Sequence, residues 1–145
     1  MQAKEVREIL VREVMSSRPR TGAPDMTVKE AAALMLREGV GSLIVLEDGE
    51  PVGILTERDI LYKVVALGKT PSRTLVEKVM SSPVITISPE ANISEAAKRM
   101  SDLHLRRLPV VEDGKLGGML TEKDILKLSP SLIELTREWG KIGRG

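Results

Sequence analysis

Hydrophobic positions follow two rhythms along this chain. Over residues 4–14, Val6, Ile9, Leu10 and Val14 stand at helical spacing with charges between them, which predicts an amphipathic lead-in helix. Pro19 and Pro24 then bracket an extended piece around Arg20-Thr21, because each proline disfavours helix in the residue before it. Thr27, followed three residues later by Glu30, has the form of a capping box. Behind it Val28, Ala31, Ala32 and Met35 make one apolar side of a helix predicted to stop near Gly39. The rhythm changes at residues 42–46, a short β-rich run. Asp48-Gly49 marks a hairpin turn, and residues 51–55 form the return strand. Thr56 opens a second helix, expected to reach about Ala66.

The same order is then written again. Gly53-Ile54-Leu55-Thr56-Glu57-Arg58-Asp59 returns 65 residues later as Gly118-Met119-Leu120-Thr121-Glu122-Lys123-Asp124. The offset also aligns Val14-Met15-Ser16-Ser17 with Val79-Met80-Ser81-Ser82, Glu30-Ala31-Ala32 with Glu95-Ala96-Ala97, and Glu47-Asp48-Gly49 with Glu112-Asp113-Gly114. Two copies are too few for a solenoid, which needs about three or more, but suit a closed pair. The second copy predicts a strand at 84–87, a helix at 92–103, a hairpin from 108–111 and 116–120, and a helix over 121–128. The expected division is a first unit at 1–67, a linker at 68–75 rich in Gly, Pro and small polar residues, a second unit at 76–128, and a tail at 129–145. Ser129-Pro130 would open a tail helix with Leu132, Leu135 and Trp139 on one side.

Composition narrows the chemistry. With no cysteine, disulfides and thiolate metal sites are excluded. Charged residues nearly cancel, at a formal net charge of +1, so no polyanion partner follows and no motif or basic stripe supports nucleic-acid binding. Tyr62 and Trp139 are the only aromatics, so the core must be aliphatic and Met-rich. No apolar run approaches the ~18 residues of a membrane span, and no signal-peptide pattern opens the chain; a cytoplasmic protein is expected.

The repeated Thr-x-x-Asp reads two ways. A threonine with an acid three residues on caps a helix without any ligand, and two helices need two caps. Alternatively the helix mouth binds phosphate at its free N–H groups, while the carboxylate accepts from ribose hydroxyls. Arg106-Arg107, standing where the first copy has Gly41-Ser42, favours the second reading, since paired arginines suit bidentate phosphate contact.

These residues, from about 11 to 127, resemble the CBS domain, named for cystathionine β-synthase, and their tandem arrangement resembles a CBS pair or Bateman module. The resemblance implies an α/β (α+β) fold of two β-α-β-β-α units packed through their sheets about a pseudo-two-fold axis. It implies two clefts for adenosine-containing ligands: AMP, ADP, ATP or S-adenosylmethionine. By position, the first cleft would use Ile54, Thr56, Arg58 and Asp59, with Val84 and Ile85 beside the base and Arg106-Arg107 on phosphate. The second would use Met119, Thr121, Lys123 and Asp124, with Pro19, Arg20, Gly41 and Ser42 across from them. Ile44 departs from the family's usual proline, which Pro109 supplies in the second copy. Gly41-Ser42 leaves the second cleft with less charge.

The expected function is that of a regulatory ligand-sensing module, homodimeric and acting in trans on an effector protein. No catalytic residue, catalytic cofactor or metal is expected, because the chain has one histidine, no cysteine and no base–nucleophile constellation. A structural dimerisation module without a physiological ligand is the alternative.

Overall fold

A computed structural model describes residues 8–128; the expected tail helix and the first seven residues lie outside the described residues. The chain forms two compact units, each drawn from separated stretches of sequence. Over the described residues, one unit comprises 18–85 with 111–116 and contains Asp59. The other comprises 8–17, 86–110 and 117–128 and contains Asp124.

In the Asp59 unit, β1 (Thr21–Gly22) leads to α1 (Val28–Glu38) and then to the hairpin of β2 (Ser42–Glu47) and β3 (Glu50–Thr56). The predicted capping box is formed: Thr27 Oγ1 accepts from Glu30 N at 3.1 Å while Glu30 Oε1 accepts from Thr27 N at 3.2 Å. Helix α1 ends where Gly39 takes a left-handed φ of 65°. Asp48 and Gly49 both have positive φ, the geometry a two-residue hairpin turn demands. The second helix is predicted as one element and forms as two windings. An α-helical turn, α2 (Glu57–Ile60), continues into a π-helical turn over Leu61–Val65, closed by Ala66 N donating to Leu61 O at 2.9 Å. The alternating strands and the apolar helix sides meet in a core of Val28, Ala31, Met35, Leu43, Val45, Leu55 and Val64.

In the Asp124 unit, α3 (Ile93–Leu103) is capped by Asn92, whose Oδ1 accepts from Glu95 N at 2.9 Å, and ends at His104 in the left-handed region. Strands β4 (Arg107–Glu112) and β5 (Lys115–Thr121), which belong to this unit up to Val110 and from Gly117, precede α4 (Glu122–Leu126). The core is Ile87, Ile93, Ala96, Met100, Leu108, Val110, Leu120 and Ile125.

Each core is completed by a segment from the other copy. Val11 packs among the second copy's residues, and Val76 and Val79 among the first's. The backbone bonds repeat the exchange: Val11 N donates to Ala91 O and Arg12 N to Pro89 O, while Val76 N donates to Met26 O and Glu77 N to Pro24 O. These bonds explain why the expected lead-in helix does not appear in its described part. The N–H groups of Val11 and Arg12 are taken by residues 89–91, and the chain makes the short 3-10 turn Val11–Glu13 there. The Val-Met-Ser-Ser repeats do the same work one step on. Ser16 pairs with Met119, and Ser81 with Ile54, as isolated antiparallel bridges.

That pairing accounts for the motif glycines. A Cβ on Gly53 would lie 2.4 Å from Met80 Sδ, and one on Gly118 would lie 2.5 Å from Ser16 O. The strand before each Thr-x-x-Asp must be bare there for the exchanged segment to approach.

The strand expected at 84–87 is reduced to a single bridge, Ile87 to Val110. In the first copy, β1 pairs with β2 at Thr21–Ile44 and Gly22–Val45, and Ile44 N donates to Arg20 O at 3.0 Å. The residue matching Ile44 is Pro109, which has no N–H to give, so the second copy keeps only half of the ladder.

Candidate functional site

Both Thr-x-x-Asp motifs sit where a return strand turns into a short helix. Thr56, the last residue of β3, is the extended N-cap of α2, and Thr121 plays the same part between β5 and α4. In the first motif Thr56 N and Thr56 Oγ1 donate to Asp59 Oδ2 at 2.9 and 3.0 Å, and Asp59 N returns a bond to Thr56 Oγ1 at 3.1 Å. In the second, Thr121 N donates to Asp124 Oδ2 at 2.9 Å and Asp124 N to Thr121 Oγ1 at 3.2 Å. Capping therefore occupies one carboxylate oxygen in each copy.

The other oxygen differs between the copies. Asp59 Oδ1 accepts from Ser81 Oγ at 3.0 Å and pairs with Lys63 Nζ at 2.9 Å, and Lys63 Nζ also donates to Val79 O at 2.9 Å. Asp59 is only 6% exposed. Burial pushes its carboxyl up, but Lys63, the donors of Thr56 and the Ser81 hydroxyl together hold it below the ordinary carboxylate range. Asp124 is less buried, and among the described residues its Oδ1 has no hydrogen-bond partner. The position matching Lys63 is Leu128, which packs on the apolar core.

The remaining predicted site residues fall out by unit. Ile54, Thr56, Arg58, Asp59, Val84, Ile85, Pro19, Arg20, Gly41 and Ser42 belong to one, and Arg106, Arg107, Pro109, Met119, Thr121, Lys123 and Asp124 to the other. Within the first, Ser42 lies opposite Thr56 in the hairpin and Gly41 O accepts from Glu57 N at 3.0 Å. Arg106 O likewise accepts from Glu122 N at 2.9 Å, which sets Arg106 beside the mouth of α4. Arg58 lies over the ring of Tyr62, 4.9 Å from its centroid, a cation–π contact one helical turn away. Arg20 is engaged by Glu38 at 3.3 Å and by the carbonyl of Arg18 at 3.0 Å. Ile54, Val84 and Met119 are half-buried, Ile85 is exposed and Pro109 is buried.

Two residues in the site have no place in the motif reading: Lys63 and Ser81. Both left a signal. Lys63 is four residues beyond Asp59, the spacing of a helical ion pair, and Ser81 lies in a repeated segment. Among the described residues no cluster of His, Asp or Glu could hold a metal ion, and no helix is long and apolar enough to cross a membrane.

Comparison with known proteins agrees with the duplication. The model of the CBS domain matches residues 11–66 and again 76–131. An uncharacterized protein of Methanopyrus kandleri is 42% identical over 135 residues, which span 92% of this chain and 69% of that protein. Among solved structures, a CBS domain pair in complex with 5′-methylthioadenosine and S-adenosyl-L-methionine superposes with a TM-score of 0.73 at 30% identity, covering 82% of this chain and 94% of that one. A hexameric CBS-CP12 protein from bloom-forming cyanobacteria gives a TM-score of 0.73 at 30% identity, over 92% of this chain and 86% of the other. The duplicated motif, the repeated β-hairpin and helix, and these likenesses establish that the chain belongs to the CBS-domain family and carries two CBS domains in tandem.

Proposed function

We propose that this chain is a regulatory module that binds an adenosine-containing small molecule, AMP, ADP, ATP or S-adenosylmethionine, at its Thr-x-x-Asp motifs. It passes the bound state on to a partner protein in trans and works as a homodimer. The observation that carries the reading is the division of labour within each aspartate. Capping uses Oδ2 alone, and in Asp124 this leaves Oδ1 with no hydrogen bond among the described residues. A carboxylate oxygen that is not needed for the cap is suited to accept from a ribose hydroxyl, and such charge-assisted bonds are roughly twice as strong as neutral ones. Half-buried Met119 and Ile54, just ahead of the threonines, offer apolar surface for a base. The related CBS pair in complex with two adenosyl compounds supports the ligand class.

The homodimer rests on the apolar face of the Asp59 unit. Exposed Leu36, Leu61 and Val65 line a groove of about 460 Å³ there together with Ala32, Met35 and Ile60.

Calorimetric titration of the full chain with AMP, ATP, adenosine and S-adenosylmethionine tests the binding reading, with Asp59→Ala and Asp124→Ala as variants. A hydrogen bond to a charged group contributes roughly 1.5–3 kcal/mol, so each variant is expected to lose about tenfold to a hundredfold at its own motif. A purely structural module predicts lower melting temperatures and no heat of binding from any of these compounds.

A further inference from the structure

The two motifs carry the same Thr-x-x-Asp, yet one has a resident cation. We infer that Lys63 is a built-in competitor at the first motif: it occupies the carboxylate oxygen of Asp59 that a ligand hydroxyl requires, and so makes the two motifs unequal in their affinity for an uncharged adenosyl ligand. The inference rests on the reading that the motif aspartates hold the ribose.

Three observations carry it. Lys63 Nζ sits 2.9 Å from Asp59 Oδ1, and the same nitrogen donates to Val79 O at 2.9 Å, so the ammonium is fixed from two sides. Lys63 is part of the π-helical turn Leu61–Val65. Its counterpart, Leu128, lies past the end of α4 at Leu126, in a turn, so the described residues at 61–63 and 126–128 differ in backbone as well as in side chain. π turns are rare insertions in helices and are frequent at functional sites. The matching residue, Leu128, is apolar, and Asp124 Oδ1 has no partner among the described residues.

A neutral diol arriving at Asp59 meets an oxygen already held by the Lys63 ammonium and the Ser81 hydroxyl, and in displacing the ammonium from this buried carboxylate it gives back only hydroxyl dipoles. The same diol at Asp124 displaces no protein donor from Oδ1 among the described residues. Once displaced, Lys63 also releases Val79 O, so occupancy of the first motif loosens one of the ties that hold residues 79–81, while Ser81 keeps its backbone pairing to Ile54. Lys63 is thus a positioning residue that acts through Asp59.

The test isolates the first motif in an Asp124→Ala background and titrates adenosine into protein with Lys63, Lys63→Met or Lys63→Arg. Lys63→Met is expected to bind adenosine at least threefold more tightly than the parent background while melting at a lower temperature. Lys63→Arg, which keeps a cation near the carboxylate, is expected to return affinity toward the parent value. A merely structural lysine would lower the melting temperature and leave the affinities alike. That outcome, or weaker binding in Lys63→Met, overturns the inference while leaving the ligand reading standing. If the Asp124→Ala protein takes up no adenosine or AMP with any residue at 63, both the inference and the reading of the first motif fall together.

Discussion

Ser81 Oγ donates to Asp59 Oδ1 over 3.0 Å, across 22 residues of chain. The bond joins the second copy's Val-Met-Ser-Ser segment to the first copy's motif aspartate, so the repeated tetrapeptide helps to hold that carboxylate in place. It also ties the electrostatics of Asp59 to a segment that the motif itself does not include.

Stability should fall in acid in a way that depends on Asp59. Its carboxyl lies below the ordinary value because Lys63, Thr56 and Ser81 together outweigh burial. The unfolded chain, with an ordinary aspartate near 3.9, therefore takes up the proton first. A depressed folded value means stabilisation that is present above about pH 4 and lost as pH falls through the folded value. Urea unfolding of the parent and Asp59→Asn between pH 7 and pH 3 is expected to show a difference that shrinks below about pH 4. A difference that grows on acidification would reverse the assigned direction.

The motif glycines should respond unequally to alanine. At Gly118 the new methyl would meet Ser16 O, a backbone atom that cannot turn aside, whereas at Gly53 it would meet Met80 Sδ on a flexible side chain. Overpacking costs about 1–3 kcal/mol, and Gly118→Ala is expected at the upper end, with Gly53→Ala below it. Chemical denaturation of both variants checks the order; equal losses would mean that the backbone of Ser16 yields as easily as a methionine.

Arg106 and Arg107 mark the strand entrance of the second copy, where the first has Gly41 and Ser42. Exchanging them for Gly and Ser is expected to weaken AMP relative to adenosine and to flatten the salt dependence of AMP binding, because guanidinium pairs act on phosphate. An AMP-to-adenosine ratio that does not move in a salt series would remove the two arginines from ligand recognition.

Light scattering at micromolar concentration should give about twice the 15.9 kDa of one chain. Leu61→Glu places a charge on the exposed apolar face and is expected to shift the population toward monomer, since Leu61 is 53% exposed in the isolated chain. A parent mass near 15.9 kDa would rule out the dimer.

Much of the fold was legible in residue order because its signals are local. The Thr27 capping box, the Gly39 stop, the Asp48-Gly49 turn and the two Thr-x-x-Asp caps each depend on residues within a few positions of one another. What escaped depends on distant partners. The helical spacing of Val6 to Val14 suggests a helix, yet the N–H groups of Val11 and Arg12 are claimed by residues near 90. Val84 to Ile87 has β propensity, but Pro109 withholds the bond that would extend its ladder. Lys63 and Ser81 entered the site for the same reason: their roles appear only when Asp59 Oδ1 and its neighbours are placed in space.

The reciprocal loan of segments sets a timetable for a chain leaving the ribosome. The first copy's core lacks Val76 and Val79 until they have been synthesised, so its helix and hairpin wait unfinished in the interim. The strap around Val11 waits longer, because its hydrogen-bond acceptors lie near residue 90 and its apolar neighbours reach to Ile125. At about 5–20 residues per second, the roughly 115 residues from Val11 to Ile125 take about 6–23 s. Throughout that time Val11 and its apolar neighbours have no core to enter. Neither half of the gene product expressed alone would contain a complete core, and the two halves mixed in solution would recover one only by trading straps.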